Sequence, residues 1–394
     1  VSAVEERGGT VFFAADAGEA NEYIVRLAAR EGVSRVVKAK SMVTEEIHLN
    51  DALEAAGIEA VETDLGEFIV QLDGATPSHI ITPVLHMNRF DVGRLFSEKL
   101  GVDRTDEPAE LNDIARHYLR DRFLVADMGI SGANFGVAEN GAIALVTNEG
   151  NGRISTTVPR IHVAVMGMER LVPTMADLAV MLEVLARSAT NQKLSAYSNI
   201  VAGPRRAGES DGPDQLHVVI VDNGRSATLG SSLAEIMYCI RCGACLNACP
   251  VYQHVGGHAY GTVYMGPFGK VVTPSLMGLE QWHDLPAASS LCGVCKEVCP
   301  VRIDIPKLLV DLRQHTTLHL GWSIRSGIAL YSRAATRPRL FRLLFRMAAL
   351  GGRLLSRNGW MRRIPGLIPS WTRRRDLPAP APQTFSEWWV QRET

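Results

Sequence analysis

Cysteine is scarce in this 394-residue sequence, and all seven cysteines fall within residues 239–299. Seven are too few for a disulfide scaffold in a chain of this length. No apolar run of about 18 residues without a charge occurs, so the sequence predicts no membrane-spanning helix. The chain begins at Val1 with no charged-then-apolar leader, so we expect no signal peptide and a cytoplasmic protein.

Acidic side chains are also absent from a long C-terminal stretch. Residues 312–375 contain fourteen arginines and no Lys, Asp or Glu, although the whole chain carries a net charge of only −1. The other residues together therefore carry −15, the difference between −1 and +14. The near-zero total conceals an acidic body joined to a strongly basic tail. At about 150 residues per domain, the length predicts two to three domains.

Residues 1–225 alternate between strand and helix patterns, which predicts an α/β domain with a mainly parallel sheet covered on both faces. The expected strands are 11–14, 36–39, 60–62, 79–81, 143–146, 163–165 and 217–221. The expected helices are 17–30, 44–56, 90–100, 107–125 and 175–187. Residues 126–136 are rich in glycine and read as turns that could approach a ligand closely.

The cysteines form two groups that we name by position. The first cysteine segment (residues 239–249) holds Cys239, Cys242, Cys245 and Cys249, with a proline next. This is the C-x2-C-x2-C-x3-C-P spacing of bacterial ferredoxins. The second cysteine segment (residues 292–299) contains Cys292, Cys295 and Cys299 and is also followed by proline. Two such segments predict iron–sulfur clusters in a ferredoxin-type domain over 226–318.

The ferredoxin pattern assigns the fourth cysteine of each run to the other cluster. Cluster one then takes Cys239, Cys242, Cys245 and Cys299, whereas cluster two takes Cys249, Cys292 and Cys295. With only three cysteines, cluster two is either a 3Fe-4S cluster or a 4Fe-4S cluster with a non-cysteine ligand. His254, His258 and Tyr260 are candidates for that ligand, or they belong to a loop that packs over the domain. Two zinc sites are the alternative reading of the cysteines.

Six charged residues in the α/β part are candidates for catalysis or ligand binding, although each fits an ordinary surface role as well. Lys40 and Glu45 lie where a strand runs into a helix N-terminus, which suits an anion. Asp64 and Glu67 flank a glycine turn, and Glu139 and Glu149 lie in glycine-rich turns around a strand. The alternative for all six is helix capping or a solvated loop.

Segments 40–50 (KSMVTEEIHLN), 62–67 (ETDLGE), 126–132 (ADMGISG) and 147–153 (TNEGNGR), together with the two cysteine segments, resemble the LUD-domain family. The resemblance covers roughly residues 8–310 and implies a fold like that of ribose-phosphate isomerases and CoA-transferases. It further implies the iron–sulfur subunit of a three-protein bacterial system that oxidises L-lactate to pyruvate without NAD. Only the seven cysteines carry over to particular positions.

The resemblance also implies partners, namely a cysteine-rich subunit of the heterodisulfide-reductase type and a second LUD protein. A quinone, a flavoprotein or a ferredoxin would accept the electrons. The alternative is a LUD-domain protein that binds a ligand or acts as a transferase, with clusters serving structure or redox sensing.

The basic tail, over 319–394, contains an amphipathic segment at 339–350 in which apolar residues share one helical face. The tail could dock on an acidic partner subunit, attach peripherally to an anionic inner membrane leaflet, or pack on the acidic body of the same chain. No aromatic-plus-basic signature accompanies the charge, so we expect no nucleic-acid binding. The sequence thus predicts three domains, over 1–225, 226–318 and 319–394.

Overall fold

The computed structural model describes residues 1–316, 321–362, 375–381 and 383–393. The chain forms two compact units, one spanning Val1–Thr316 and the other beginning at residue 317. The α/β part and the cysteine-bearing part therefore pack together within the first unit. The second unit contains the basic tail.

The first unit is built around a six-stranded parallel sheet of order β1-β10-β7-β4-β2-β3, as the α/β alternation predicts. A smaller sheet has the order β8-β5-β6-β9. The strands are β1 (Thr10–Ala14), β2 (Arg35–Lys38), β3 (Glu59–Glu62), β4 (Met128–Gly132), β5 (Phe135–Val137), β6 (Ile143–Thr147), β7 (Ile161–Gly167), β8 (Leu171–Val172), β9 (Tyr197–Val201) and β10 (Gln215–Val221).

Helices cover both faces of the large sheet because successive strand residues point to opposite sides. Val36 packs in the core beneath α2 and α4, whereas the next residue, Val37, packs beneath α5, α6 and α7. The helices of this part are α1 (Ser2–Glu5), α2 (Ala17–Arg30), α3 (Met42–Glu46), α4 (Leu49–Ala55), α5 (Leu65–Asp73), α6 (Arg89–Leu100), α7 (Pro108–Val125), α8 (Asn151–Thr157) and α9 (Met175–Thr190).

The glycine-rich stretch 126–136 is not a set of turns, because it forms β4 and β5. Its glycines allow close packing of a helix. A Cβ atom added at Gly129 would lie 1.7 Å from the carbonyl oxygen of Ser155 in α8. The sequence therefore misleads here, since glycine marks a close approach between a central strand and a helix rather than a loop.

Two further expectations are wrong. Residues 79–81 form no strand, because the Nδ1 atom of His79 accepts the backbone N–H groups of Ile81 and Thr82 and closes a tight turn. The helix expected over 44–56 is broken into α3 and α4 at His48, whose φ of 53° is left-handed. The break lets α3 end at Glu46, which then points into the interior.

The cysteine-bearing part is helical and packs around Leu246, Tyr264 and Phe268. Its helices are α10 (Arg225–Leu229), α11 (Ala244–Asn247), α12 (Pro250–Val255), α13 (Gly266–Met277), α14 (Leu279–Trp282), α15 (Val294–Glu297) and α16 (Ile305–Thr316). A short 3-10 helix over Ala234–Tyr238 precedes the first cysteine.

The second unit is also mainly helical in its described part. It contains α17 (Trp322–Ala335), α18 (Pro338–Leu355), β11 (Trp360–Met361), β12 (Leu377–Pro378) and α19 (Phe385–Glu393). Helix α18 includes the segment that the sequence predicts to be amphipathic, and none of its residues is buried. Within the described ranges, no helix is both long enough and apolar enough to cross a membrane.

Candidate iron–sulfur and ligand site

A cavity of about 390 Å³ opens beyond the carboxyl ends of β2 and β4. Parallel α/β sheets bind ligands at this edge. One wall comes from the α/β part and includes Lys40, Asp64 and Glu149. The lining also contains Ile240 and Arg241 of the first cysteine segment. The cavity therefore lies between the strand ends and the first group of cysteines.

Lys38, the last residue of β2, serves structure rather than chemistry. Its Nζ lies 2.6 Å from Glu62 and 2.7 Å from Glu45, and its side chain is buried. Burial alone would lower the pKa of Lys38, but the charges of Glu62 and Glu45 outweigh it and raise that pKa. Glu45, a candidate from the sequence, is thus engaged in an internal ion pair.

Three of the six candidate residues, Lys40, Asp64 and Glu149, line the cavity, and Glu67 lies beside Lys40. The Nζ of Lys40 donates to the carbonyl of Ile81 at 2.7 Å and lies 3.9 Å from Glu67. Asp64 caps α5 by accepting from the backbone of Gly66 and Glu67. Burial is the main reason that the pKa of Glu67 rises to about 8.

Glu149 completes this acidic group, and its Oε2 accepts the backbone N–H of Leu65 at 3.2 Å. Burial, followed by the charge of Asp64, raises the pKa of Glu149 to about 7. The fifth candidate, Glu139, lies elsewhere and accepts the backbone N–H of Met175 at the start of α9. Of the six candidates, Glu45, Glu67 and Glu139 therefore do not line the cavity.

Two arginines at the cavity were not among the candidates. Arg170 donates through Nη1 to the carbonyl of Cys239 at 2.9 Å. The guanidinium of Arg241 lies over the rings of Tyr264 and Phe268, at 4.5 and 4.4 Å from their centroids. The sequence did offer a signal for Arg241, because this residue lies between two cysteines of the ferredoxin spacing. Arg170 follows an ordinary strand, and the sequence offers no signal for it.

A buried charge network joins the α/β part to the first cysteine segment. Arg225 is fully buried and holds Glu46 with two hydrogen bonds of 2.8 and 2.7 Å. Its Nε also binds Glu169 at 2.8 Å, and Glu169 in turn binds Arg241 at 3.0 Å. The hydroxyl of Tyr264 donates to Glu46 as well. This network explains why the two parts form a single compact unit.

Glu169 is the carboxylate at which three positively charged arginines of this network meet. Burial would raise the pKa of Glu169, but the charges of Arg170, Arg225 and Arg241 hold it at about 2. Glu169 is therefore ionised near neutral pH and holds all three guanidinium groups, of which those of Arg170 and Arg241 also lie near Cys239.

The first cysteine segment lies largely in the interior, with Cys242, Cys245 and Cys249 buried. The backbone N–H of Arg241 points to the sulfur of Cys239 at 3.4 Å, with φ of 61° at Arg241. Backbone N–H groups that face sulfur in this way are typical of iron–sulfur ligand loops.

The second cysteine segment is more open, and Cys292 is exposed. The backbone N–H of Ile303 points to the sulfur of Cys299 at 3.4 Å. The Nζ of Lys270, which is fully buried, lies 3.9 Å from the sulfur of Cys249. A buried ammonium beside a sulfur suits a site that holds thiolates and an anionic cluster.

Burial and the charges of neighbouring thiols raise the pKa of several of these cysteines. Burial, together with the charges of Cys239 and Cys299, raises the pKa of Cys242 to about 11. Burial, together with the charges of Cys249 and Cys292, raises the pKa of Cys295 to about 11. All seven are free thiols. The charges that act on Cys242 and on Cys295 come from thiols of both cysteine segments, and Cys295 also acts on Cys245.

The candidates for an additional ligand to cluster two differ in placement. His254 bonds to the carbonyl of Pro250 and His258 to that of Thr76, and both are exposed. Tyr260 is buried, and its hydroxyl has no hydrogen-bond partner among the described residues. In the part of the chain that the structure describes, no three His, Cys, Asp or Glu side chains are grouped closely enough to hold one metal ion.

Comparison with known protein families divides the chain into three parts. Residues 1–221 match the LUD domain, residues 235–303 match a 4Fe-4S dicluster domain, and residues 324–394 match the C-terminal domain of lactate utilisation protein B. The cysteine-bearing part is therefore an iron–sulfur domain. The zinc alternative is not supported by this match.

Three relatives that match over almost the whole of this chain carry the same name. Lactate utilization protein B of Oceanobacillus iheyensis is 48% identical, and the match covers 99% of this chain and 82% of the relative. The proteins of that name from Geobacillus kaustophilus and Anoxybacillus flavithermus are 45% and 46% identical, with 99% of this chain and 83% of each relative covered. A solved DUF162 family protein from Deinococcus radiodurans covers 56% of this chain and 92% of its own, at 14% identity and a TM-score of 0.29.

Proposed function

The chain belongs to the lactate utilisation protein B family, and from that membership we propose that it is the iron–sulfur electron-transfer subunit of a complex that oxidises L-lactate to pyruvate without NAD. The observation that carries this proposal is the position of the first cysteine segment, which forms one wall of the cavity at the strand ends. A ligand site and an electron carrier are thereby adjacent within one chain.

We assign the cluster ligands as the ferredoxin spacing and the thiol neighbours suggest. Cys239, Cys242, Cys245 and Cys299 hold a 4Fe-4S cluster, and Cys249, Cys292 and Cys295 hold a second cluster of the 4Fe-4S or 3Fe-4S type. Such clusters, when bound, take up and release single electrons. Burial, and after it the charges of Cys239, Cys242 and Cys295, raise the pKa of Cys245, which supports close approach of the two sets of cysteines.

The surrounding residues adapt this site to negatively charged clusters. Backbone N–H groups of Arg241 and Ile303 face cysteine sulfurs, which stabilises thiolates. The positive charges of Arg170 and Arg241 lie beside Cys239, whereas that of Lys270 lies beside Cys249. Tyr264 and Phe268 are buried around the first group and exclude water. Hydrogen bonds, nearby charge and solvent exclusion are the factors by which a protein sets cluster potentials.

The partners follow from the same proposal. We propose assembly with a cysteine-rich subunit of the heterodisulfide-reductase type and a second LUD protein, with a quinone, a flavoprotein or a ferredoxin as electron acceptor. The free cysteines suit the reducing cytoplasm, where we place the protein.

The tail is the proposed docking element for an acidic partner subunit. It combines fourteen arginines over 319–394 with exposed apolar residues on α17 and α18, such as Trp322 and Leu354. Peripheral contact with an anionic membrane is the alternative for this surface. Nucleic acid is not among the partners that we propose.

The test of this function is lactate-dependent reduction of the clusters. The complex is reconstituted anaerobically from its subunits, and its visible iron–sulfur absorbance is followed after L-lactate is added. We expect bleaching with L-lactate and none with other 2-hydroxy acids. Clusters that remain oxidised in an intact complex would refute the proposal.

A second function is favoured by the cavity alone. Its charged lining and its place at the strand ends are also expected of a ligand-binding or transferase-like LUD protein whose clusters serve structure or redox sensing. Lactate-dependent bleaching separates the two, because only an electron carrier is reduced by the substrate.

A further inference from the structure

The guanidinium of Arg241 has more hydrogen-bond donors than the protein satisfies. Its Nη2 binds Glu169, but Nε and Nη1 have no partner among the described residues, although both atoms are buried. Buried donors without partners are costly, and those of a charged group more so. The arrangement therefore points to a partner for Arg241 beyond the described residues, as a bound ligand would be.

The position of Arg241 limits where that partner can lie. Tyr264 and Phe268 lie against the guanidinium through their rings, and aromatic stacking leaves the edge of a guanidinium available for hydrogen bonds. Arg241 also lines the cavity. Arg241 lies between Cys239 and Cys242 in the sequence, and its φ of 61° is left-handed. A ligand in the cavity would consequently meet Arg241 beside the first group of cysteines.

The rest of the lining defines the charge of such a ligand. Lys40 and Arg170 add two cationic groups to the cavity, whereas Asp64 and Glu149 contribute two carboxyls. Three cationic side chains favour an anion, but the carboxyls disfavour one with multiple charges. A ligand that has one carboxylate, and a polar oxygen on the next carbon, therefore suits these charges better than a phosphate does.

We propose that this cavity binds a small 2-hydroxy or 2-oxo carboxylate, with the carboxylate held by Arg241 next to the first group of cysteines. The proposal rests on the proposed function, since it places the substrate of the complex, or its product, in this chain rather than in a partner. Guanidinium–carboxylate pairing supplies the recognition. The cavity volume of about 390 Å³ is sufficient for an acid of this size with water around it.

The experiment measures binding rather than turnover. The full chain, purified anaerobically with its clusters, is titrated with L-lactate and with pyruvate in equilibrium dialysis. We expect saturable binding of one molecule per chain, weakened at least about tenfold in Arg241→Gln. Inorganic phosphate is the competing probe, and tighter binding of phosphate than of either acid would overturn the assigned ligand class.

Arg302→Gln is the matched control. Arg302 also has a left-handed φ, of 58°, and follows a cysteine of the same predicted cluster, yet it is exposed and does not line the cavity. We expect unchanged binding in this variant. Equal loss in the Arg302 and Arg241 variants would show a general effect of disturbing the cluster loops, and the proposal would fail.

A second variant keeps the test decisive if Arg241→Gln does not fold. Lys40→Gln changes a lining residue of the cavity that belongs to the α/β part and not to a cysteine segment, so the clusters should stay in place. Carboxylate binding should still weaken. Unchanged carboxylate binding in both variants would contradict the proposal. So would an Arg241→Gln protein that binds the carboxylate normally but has a changed EPR spectrum of the first cluster, because Arg241 would then serve the cluster itself.

Failure of this inference is distinguishable from failure of the proposed function. If the isolated chain binds no carboxylate while the complex still bleaches with L-lactate, the substrate site lies in another subunit and electron transfer stands. If the chain binds lactate but the complex never bleaches, the cavity assignment stands and electron transfer is wrong.

Discussion

The two cysteine segments lie in contrasting surroundings. In the first, Cys242, Cys245 and Cys249 are buried, and Arg241 ties the loop to Glu169 and the charge network behind it. In the second, Cys292 is exposed, and neighbouring apolar side chains such as Val298 are exposed as well. The first segment is therefore built into the body at the cavity, whereas the second faces outward.

This contrast gives the electron path a direction. The first group of cysteines adjoins the cavity, so we infer that electrons arrive there. The second group contains the exposed Cys292, so we infer that electrons leave there toward a partner. The positive charges differ too, with Arg170 and Arg241 beside Cys239, and Lys270 beside Cys249, which we assign to the second cluster.

The largest expected effect comes from removing ligands. Cys242→Ser should abolish the first cluster and weaken the whole body, because its thiol is buried at the junction. Cys249→Ser should remove the second cluster and spare the first, although Cys249 belongs to the first segment in sequence. EPR of the reduced proteins separates the two outcomes. Loss of both signals in Cys249→Ser would contradict the partition.

The next effect concerns the network that anchors the first segment. Glu46→Ala leaves the fully buried Arg225 without its bidentate partner, so the free energy of unfolding should fall by about 3–5 kcal/mol. Denaturant titration of the anaerobic protein measures this change. Glu59→Ala is the control, since Glu59 pairs with Arg35 at the surface and its loss should cost only about 0–1 kcal/mol. Equal losses in the two variants would mean that the network does not anchor the segment.

A smaller effect is expected on potential. Lys270→Met removes a buried positive charge 3.9 Å from the sulfur of Cys249, so the midpoint potential of the second cluster should fall, by tens of millivolts in order of magnitude. Redox titration monitored by EPR measures the shift. Lys296→Met is the control, because Lys296 pairs with Asp304 on the surface. A shift of the first cluster alone would place Lys270 beside the wrong group.

The smallest effect on the clusters is expected from the tail. Deleting residues 319–394 should leave the visible and EPR spectra of both clusters unchanged, because the cysteines belong to the other compact unit. The same deletion should release the protein from its complex or membrane fraction. Unchanged fractionation would refute a docking role for the tail, and lost cluster signals would refute the independence of the two units.

The spacing of the cysteines predicted the iron–sulfur domain, because cluster ligation demands fixed local intervals between ligands. It also predicted the parallel sheet, since the alternation of elements is a local signal. It missed β4, where Gly129 reflects contact with α8, and the turn at His79, which is held by a side-chain acceptor. The cavity arginines could not be predicted, because their meeting depends on how two distant parts of the chain pack.

The most direct test of this account is quantitation of iron and acid-labile sulfide in the full chain purified anaerobically. Two separate groups of cysteines predict about seven irons per chain for one 4Fe-4S and one 3Fe-4S cluster, or about eight for two 4Fe-4S clusters. About four irons would mean that only one group holds a cluster, and zinc in place of iron would contradict the electron-transfer role altogether.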